Sequence, residues 1–276
     1  MAIDTTPTHS PSALVTGATE GIGLETARQL WQRGFRVLVH GRTEAKARAA
    51  AAKIGAERLV PVWGDLGDLA QTVKLADQVK AAAPALDVLI NNAGVFMKER
   101  TESADGFELT FHVNHLAPFL LTAHLLPALK AAKAARVVNV SSMAHGRGRL
   151  ELDDLMGKRR YEGYAAYANS KLANVYFTHE LARRLAGTSI TTSALHPGVI
   201  DTRLLRTGFG MGGGTVESGA RTSVYCATAP ELEGVSGRYY SDSREVRAAP
   251  HATDEALERA LWDASAKLTG APPVTV

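Results

Sequence analysis

The alternation of two kinds of segment constrains the fold of this chain more than any other feature of its sequence. Short apolar runs rich in β-branched residues, which are typical of strands, alternate with segments in which apolar residues recur at helical spacing. The central runs are apolar on both faces, as expected where helices cover both sides of a parallel sheet. The sequence therefore predicts an α/β fold, a doubly wound parallel sheet with helices on both faces.

The predicted elements follow one another without a linker-like shift in composition. We therefore expect a flexible N-terminus over residues 1–11 and a single Rossmann-type domain over residues 12–276. Strands are predicted at residues 13–16, 35–39, 58–62, 86–90, 136–140, 190–195 and 238–240. Helices are predicted at residues 22–33, 44–54, 69–83, 107–132, 164–185, 216–227 and 254–268. The glycine-rich stretch at residues 208–214 is predicted to be a mobile loop.

The composition excludes several classes of protein. Of the 276 residues, 45% are hydrophobic and 21% are charged, which is ordinary for a globular protein. The single cysteine, Cys226, rules out an intrachain disulfide and fits a reducing compartment. The net charge of +3 comes from scattered basic residues, so we expect no nucleic-acid partner.

The apolar stretches bear on the location of the protein. None is long enough to span a membrane, and the polar N-terminus is unlike a signal peptide. We therefore expect a soluble, cytoplasmic protein with no membrane partner. The alanine- and arginine-rich usage indicates a bacterial source.

A glycine-rich turn follows the first predicted strand. Gly17, Gly21 and Gly23 have the spacing G-x-x-x-G-x-G, and a helix is predicted to follow, which is the context that a dinucleotide site needs. The first glycine would allow a tight turn, the second a close approach to a pyrophosphate, and the third close packing of helix on sheet. The other candidate cofactor-binding residues here are Thr19, Glu20 and Ile22. The alternative is an ordinary strand-to-helix loop.

The end of the second predicted strand bears on the choice of coenzyme. An enzyme that selects NAD usually carries Asp or Glu there to hold the ribose 2′-hydroxyl, whereas this chain has Arg42 and Thr43. The planar guanidinium of Arg42 can pair with a 2′-phosphate, which favours NADP (NADPH) over NAD as the cofactor. Alternatively, Arg42 caps the next helix or pairs with Glu44, and Glu20 in the turn is mildly unfavourable for NADP.

Tyr167 and Lys171 lie four residues apart on a predicted helix, and therefore on one face of it. A nearby ammonium and an oxidised nicotinamide would both favour the phenolate and lower the pKa of the tyrosine. Tyr167 could then exchange a proton near neutral pH, as general acid–base catalysis requires.

Polar side chains follow other predicted strands, and ligands bind at the carboxyl ends of strands in such sheets. Ser141 and Ser142 end the fifth strand. Ser142 is the candidate that holds a substrate oxygen against Tyr167, with Ser141 as the alternative. The segments at residues 91–94 and 196–202 follow the fourth and sixth strands.

In order and interval, these motifs together resemble the short-chain dehydrogenase/reductase family over nearly the whole chain. The matching residues are Thr16, Gly17, Gly21, Ile22, Gly23, Asp65, Leu66, Asn91, Asn92, Ala93, Gly94, Asn114, Ser142, Tyr167, Lys171, Pro197, Gly198 and Thr202. Residues 112–116, 170–174 and 236–242 look like the retinol-dehydrogenase-like branch of that family.

The resemblance implies roles for the residues that match. It places Asp65 at the adenine and Asn92 on the adenosine side, while Thr202 and the backbone at Ile200 fix the nicotinamide. The further cofactor-binding residues of these segments are Leu66, Ala93, Gly94, Pro197 and Gly198. The implied catalytic residues are Asn114, Ser142, Tyr167 and Lys171.

Within the implied catalytic set, each residue has a distinct task. Tyr167 protonates a carbonyl as hydride arrives, or deprotonates an alcohol as hydride leaves. Lys171 also holds the nicotinamide ribose, and Asn114 orders a water that links Lys171 to solvent.

The chain departs from the family pattern in two ways. Ser142 and Tyr167 are 25 residues apart, an unusually long interval, and the extra segment at residues 145–163 is expected to shape the substrate entrance. We also expect no membrane-anchoring N-terminus of the kind that many animal members carry, so retinol itself is not implied.

Two histidines three residues apart, His112 and His115, have a spacing that metal ligands also show. Nothing nearby supplies a third ligand, and this chemistry needs no metal, so we predict packed or surface histidines and no metal site.

The sequence therefore predicts an oxidoreductase that moves a hydride between NADP(H) and a carbonyl or alcohol. Leu204, Leu205, Phe209 and Met211 indicate a small, partly apolar substrate, over which the loop at residues 204–216 closes as a lid. The alternatives are a cofactor-retaining non-redox enzyme, such as a cyclase, dehydratase or epimerase, and a nucleotide-sensing protein. Relatives assemble through the two long helices, so a homodimer or homotetramer is one expectation and a monomer the other.

Overall fold

The computed structural model describes residues 10–55 and 57–275. The flexible N-terminus that the sequence predicts falls outside these residues as far as residue 9. The chain forms an eight-stranded sheet with the strand order β3-β2-β1-β4-β5-β6-β7-β8. The strands are β1 (Ser12–Val15), β2 (Arg36–Gly41), β3 (Leu59–Trp63), β4 (Val88–Asn91), β5 (Ala135–Val140), β6 (Ile190–His196), β7 (Arg238–Ser241) and β8 (Arg244–Val246).

The first seven strands run parallel, which confirms the doubly wound parallel sheet that the sequence predicts. β1 lies in the middle, pairs with β2 on one side and β4 on the other, and is buried along its whole length. The strand order reverses at β1, and this reversal opens a crevice at the carboxyl edge of the sheet, where doubly wound proteins bind their ligands.

Eight α-helices connect or flank the strands in the described part of the chain. They are α1 (Gly21–Gln32), α2 (Glu44–Ile54), α3 (Leu69–Ala82), α4 (Leu109–Phe111), α5 (Ala117–Ala131), α6 (Gly163–Arg184), α7 (Val216–Thr228) and α8 (Glu255–Thr269). None of the helices among residues 10–55 and 57–275 is long and apolar enough to cross a membrane.

Apolar side chains cover both faces of the sheet. On one face, Leu75, Phe119 and Phe177 bring α3, α5 and α6 onto the strands. On the other face, Leu30 and Val224 belong to the cluster that packs α1 and α7 onto β1, β2 and β4. Burying both faces removes a large apolar area from water, and this burial is the dominant favourable term in folding.

The last strand is one that sequence reasoning missed. β8 pairs antiparallel with β7 through a tight turn in which Asp242 and Ser243 both have positive φ, 50° and 56°. Hairpin turns of this geometry usually contain glycine or asparagine, because other residues pay a steric cost at positive φ. Without that signal, the three exposed residues of β8 carried no recognisable pattern.

Two predicted segments differ in detail. The helix predicted at residues 107–132 begins at Leu109 and passes through a π-helical turn, His112–Leu116, between α4 and α5. The glycine-rich loop is partly helical, because a second π-helical turn covers Leu205–Phe209. Isolated π turns often occur at functional sites.

Candidate active site

The predicted site residues gather at the carboxyl edge of the sheet. They follow β1 to β6 in turn, or lie on α4–α5 and α6 beside that edge. The parallel sheet, rather than proximity in sequence, brings them together.

The glycine-rich turn after β1 is a compact loop built from backbone contacts. Gly17 and Gly21 have φ values of +63° and +57°, which favour glycine. A Cβ at Gly17 would lie 2.9 Å from the Cα of Ala93, and one at Gly23 would lie 2.4 Å from the Gly17 carbonyl oxygen. The turn therefore leaves room for backbone only.

The start of α1 suits an anion. Glu20 occupies its N-cap position, and its side chain makes no capping hydrogen bond to the first turn. The amide N–H groups at a helix N-terminus bind a phosphate directly. Glu20 is exposed and Thr19 half-buried beside this turn. The residues present thus fit a bound pyrophosphate.

The segment after β4 is tied to the same turn. Thr16 Oγ1 accepts the backbone N–H groups of Asn92 and Ala93 at 2.9 and 3.0 Å. The Asn92 amide in turn donates to the Thr16 carbonyl at 2.8 Å. Gly94 leads from this segment to the catalytic residues, since a Cβ there would lie 3.4 Å from both Asn114 Oδ1 and Lys171 Nζ.

Arg42 and Asp65 meet at the ends of β2 and β3. Arg42 Nε lies 3.7 Å from Asp65 Oδ2, with 60% and 38% of the two side chains exposed. Thr43 caps α2 by accepting the backbone N–H of Lys46, and Glu44 pairs with Arg48 rather than with Arg42. Leu66 is buried next to Asp65 in the core. The guanidinium therefore stands at the surface beside the proposed adenosine pocket.

The segment after β6 crosses above the glycine-rich turn. A Cβ at Gly21 would lie 3.5 Å from the Thr202 methyl group, and Gly198, which follows Pro197, turns with a φ of +96°. Ile200 is buried, and a Cβ at Gly219 of α7 would meet Ile200 and Ile22 at 2.8 and 2.9 Å. Thr202 therefore lies beside the glycine-rich turn, where the nicotinamide half of a dinucleotide would extend.

Tyr167 and Lys171 lie one turn apart on α6 and both are buried. The Lys171 ammonium is 5.5 Å from the centre of the Tyr167 ring and donates to the Val140 carbonyl at 3.1 Å. Glu162 caps α6 by accepting the backbone N–H groups of Tyr164 and Ala165, which fixes where the helix begins. The predicted pair therefore has the expected placement.

Burial of the phenol opposes the decrease in the pKa of Tyr167 that the sequence predicts. Burial raises it to about 12, and the hydrogen bond with Ser142 only partly offsets that rise. Burial also lowers the pKa of Lys171 to about 8. Desolvation is the largest effect on the pKa of Tyr167, because a buried phenol loses the water that would solvate its charged form.

The two serines after β5 have different hydrogen-bond partners. Ser141 Oγ donates to the Lys171 carbonyl at 2.7 Å and is buried, so its proton is committed to α6. Ser142 Oγ accepts the backbone N–H of Ala144 at 3.2 Å and acts on the pKa of Tyr167. Ser142 is therefore the serine whose hydroxyl lies beside the Tyr167 phenol.

Asn114 lies in the π-helical turn between α4 and α5 and is fully buried. Its Oδ1 accepts the Val95 N–H at 2.8 Å, while its Nδ2 donates to the Val95 carbonyl and to Ser170 Oγ. Ser170 donates onward to the Tyr167 carbonyl at 2.7 Å. Asn114 thus connects the segment after β4 to the backbone of α6.

His145 is a site residue that sequence reasoning missed. Its Nδ1 lies 2.7 Å from the Ser142 carbonyl oxygen, and its Nε2 accepts the backbone N–H of Ala249 at 3.0 Å. Because an amide can only donate, Nδ1 must carry the proton that holds the carbonyl. Burial lowers the pKa of His145, which favours this neutral form. Its partner Ala249 lies 104 residues away, so no local sequence pattern could predict this contact.

An aromatic cluster, defined here as Phe96, Tyr164 and Phe209, packs around Tyr167. The ring centre of Phe209 lies 4.7 Å from that of Phe96 and 5.7 Å from that of Tyr167. Leu204 joins the same apolar cluster, whereas Met211 is 55% exposed. The predicted lid therefore covers the tyrosine with its helical first half.

The inserted segment at residues 145–163 docks near the entrance. The Tyr161 hydroxyl donates to the Met97 carbonyl at 2.9 Å, and Arg100 Nε donates to the Met156 carbonyl at 3.0 Å. These contacts join the insertion to the segment that carries Phe96. Its position fits the expected influence on substrate entry.

The two histidines considered for a metal site are buried in the helix pack. His115 shares a hydrogen bond with Ser265 of α8 at 2.8 Å, and His112 packs against the Phe107 ring. Within residues 10–55 and 57–275, no group of three or more His, Cys, Asp or Glu side chains could hold a metal ion.

A doubly wound sheet with a glycine-rich turn after β1, and with serine, tyrosine and lysine together at its carboxyl edge, defines a class of dinucleotide-dependent oxidoreductases. Comparison with known proteins specifies that class. The family model described as short chain dehydrogenase matches residues 11–209. The chain belongs to the short chain dehydrogenase family, in its retinol-dehydrogenase-like branch.

The similarity extends over nearly the whole chain. Retinol dehydrogenase 12 of Homo sapiens is 43% identical over 93% of this chain and 85% of its own length. Retinol dehydrogenase 14 of Mus musculus is 40% identical over 95% and 86%. A solved structure of an uncharacterized Mycobacterium paratuberculosis protein superposes with a TM-score of 0.80 at 36% identity, covering 95% of this chain and 94% of that one.

Proposed function

We propose that this protein is an NADP(H)-dependent dehydrogenase/reductase that interconverts a carbonyl compound and an alcohol, with residues 12–276 as its catalytic domain. The observation that carries the proposal is the grouping of half-buried Ser142 with the buried side chains of Tyr167 and Lys171, next to the aromatic cluster. A water-excluded site with one proton donor, one hydrogen-bonding hydroxyl and one ammonium matches the needs of carbonyl reduction.

The proposed chemistry assigns one task to each of these side chains. When bound, a nicotinamide dinucleotide supplies or accepts the hydride. Ser142 donates a hydrogen bond to the substrate oxygen and orients that oxygen toward Tyr167. Tyr167 gives its proton to that oxygen in reduction and takes it back in oxidation. Lys171 favours the phenolate through its charge, and Asn114 holds the α6 backbone through Ser170.

The dinucleotide itself would lie across the crevice at β1. The N-terminus of α1 and the turn from Gly17 to Gly23 would hold the pyrophosphate, and Asp65, Asn92 and Thr202 would flank the two nucleosides. Arg42 supports NADP(H), because its half-exposed guanidinium can turn from Asp65 to a 2′-phosphate.

The substrate of the proposed reaction is small and partly apolar. Phe96, Tyr164 and Phe209 surround Tyr167, so a substrate that reaches the phenol must contact aromatic rings. A nucleotide sensor has no need for serine, tyrosine and lysine side chains grouped at one site. The similarity to dehydrogenases also favours hydride transfer.

The proposal is tested by following reduced nicotinamide absorbance with a panel of aldehydes and ketones, using NADPH and NADH. For Tyr167→Phe we expect turnover to fall by about 10²–10⁴-fold while dinucleotide binding is kept, since only the transferable proton is lost. Tyr176→Phe is the matched control, because Tyr176 is buried on the same helix and donates to the His251 carbonyl instead.

Two results would count against the proposal. Tight dinucleotide binding without turnover of any carbonyl or alcohol would favour non-redox catalysis. Equal losses in Tyr167→Phe and Tyr176→Phe would show that the phenol acts only through packing.

A further inference from the structure

His40, the fifth residue of β2, contacts the glycine-rich turn directly. The backbone N–H of Gly17 donates to His40 Nδ1 at 3.0 Å, and His40 Nε2 lies 3.0 Å from the Gly64 carbonyl oxygen. The side chain is 3% exposed. Both ring nitrogens are therefore used, and neither partner is a side chain.

These partners fix the protonation state of the imidazole. The Gly17 amide can only donate, so Nδ1 must present its lone pair. The Gly64 carbonyl can only accept, so Nε2 must carry the proton. His40 is held as the neutral Nε2–H tautomer, and the doubly protonated ring could not keep the contact to Gly17.

The backbone of His40 reinforces its side chain. The His40 carbonyl accepts the N–H of Ala18 at 2.9 Å, so one residue fixes two consecutive amides of the glycine-rich turn. Gly17 is also where the turn adopts its positive φ of 63°. Any movement of His40 would therefore displace the glycine-rich turn at the residue where it bends.

The other partner leads to the adenosine side of the proposed site. Gly64 follows β3 and precedes Asp65, and its own N–H donates to the Gly41 carbonyl at 3.2 Å. Asp65 in turn lies within 3.7 Å of Arg42. The imidazole thus bridges the turn that would hold the pyrophosphate and the turn that would hold the adenine.

Burial maintains the neutral ring. Desolvation lowers the pKa of His40 to about 4, against smaller opposing effects of the Gly64 carbonyl and of Asp65. Asp65 is the charged group that acts on it, and Arg42 partly neutralises Asp65. At neutral pH the ring is uncharged and the bridge is complete.

We propose that His40 is a positioning residue for the dinucleotide, which joins the glycine-rich turn to the Asp65 turn and keeps the two sides of the adenosine pocket in register. The inference rests on the proposed dinucleotide site. It adds a residue outside the glycine motif and the catalytic set, and it makes dinucleotide affinity sensitive to acid. Protonation of His40 breaks the Gly17 contact and releases the turn.

The first test compares the Kd of NADP⁺ and NAD⁺, measured by calorimetry at pH 7.5, in three variants. His40→Leu removes both hydrogen bonds of the ring, and we expect both dinucleotides to bind about tenfold more weakly. His40→Asn keeps an acceptor near the Nδ1 position, and we expect a Kd within about threefold of the original. Val39→Ala, in the same strand, is the control for general destabilisation, because it removes core packing and no hydrogen bond.

The second test uses pH. The Kd of NAD⁺, which has no 2′-phosphate to titrate, is measured from pH 7.5 to 3.5 in the original protein and in His40→Asn. We expect the original protein to lose affinity relative to the variant as the pH approaches the His40 pKa of about 4. The ratio of the two Kd values cancels the titration of every other group that both proteins share.

The outcomes separate this inference from the proposed function. An unchanged Kd in His40→Leu, or an equal change in Val39→Ala, would overturn the positioning role while leaving the dinucleotide site intact. A pH-independent ratio would overturn the acid sensitivity. The pH test uses only the original protein and His40→Asn, so it remains decisive if His40→Leu does not fold. Failure of the original protein to bind either dinucleotide would overturn both proposals.

Discussion

At the residue scale, the proposed preference for NADP(H) depends on the exposed side chain of Arg42. Its contact with Asp65 is an exposed pair at 3.7 Å, and exposed ion pairs contribute little stability because water and salt screen them. Little free energy therefore opposes rotation of the guanidinium toward a phosphate. A planar, bidentate donor recognises a 2′-phosphate far better than a ribose hydroxyl.

For Arg42→Ala we expect NADP⁺ to bind about tenfold or more weakly, and NAD⁺ to bind with a Kd within about twofold of the original. Calorimetry with both dinucleotides measures the two effects. Arg48→Ala is the control, since Arg48 is equally exposed and pairs with Glu44 on α2. A parallel loss of both dinucleotides in Arg42→Ala would remove the basis for NADP(H) selectivity.

At the scale of elements, the two halves of the predicted lid differ in how they pack against the rest of the protein. The π-helical half places Phe209 against Phe96 and Tyr167. The lid ends where the N–H of Gly214 donates to the Val199 carbonyl at 2.8 Å. A Cβ at Gly213 would lie only 2.4 Å from that carbonyl oxygen, so glycine is needed for this closure. Between these anchors Met211 is exposed.

For Phe209→Ala we expect kcat/KM for bulky aromatic ketones to rise, and that for small aliphatic aldehydes to fall, each by about tenfold. Removing the ring opens space beside Tyr167 and admits water. Met211→Ala serves as the control in the same segment, because Met211 is 55% exposed. The same shift in both variants would assign the effect to lid mobility rather than to Phe209.

At the scale of the whole molecule, buried histidines link stability to pH. His115 is 1% exposed among aromatic rings, and burial lowers its pKa to about 3. In the unfolded chain a histidine titrates near 6.5, so below that pH the unfolded state binds a proton that the folded state does not. Acid therefore favours unfolding, and the stability present above pH 6.5 is lost as the pH falls toward the folded-state pKa.

We expect the free energy of unfolding to fall by up to about 1.4 kcal/mol per pH unit for each such histidine between pH 6 and 4. Urea unfolding over that range measures the slope. His115→Phe should reduce it by about one proton, whereas Leu126→Ala on α5, which removes core packing but no titratable group, should leave it unchanged. An unchanged slope in His115→Phe would contradict the assignment.

The sequence determined the architecture and most of the candidate site, because both depend on local patterns. Apolar runs of strand length alternating with amphipathic helices allow few arrangements other than a doubly wound sheet, and the glycine spacing requires a particular turn. The i, i+4 spacing of Tyr167 and Lys171 also fixes their common face without tertiary contacts.

The tertiary structure decided what depends on contacts between distant residues. From the sequence, Ser142 and Ser141 were both candidates for the contact with the substrate oxygen. The structure distinguishes them, because the Ser141 hydroxyl donates to the Lys171 carbonyl of α6. The pKa of Tyr167 rose because the aromatic cluster buried it. His40 and His145 gained their partners through folding alone, since Gly64 and Ala249 lie 24 and 104 residues away. A local pattern contains propensity and spacing, whereas burial and hydrogen-bond partners exist only once the chain has packed.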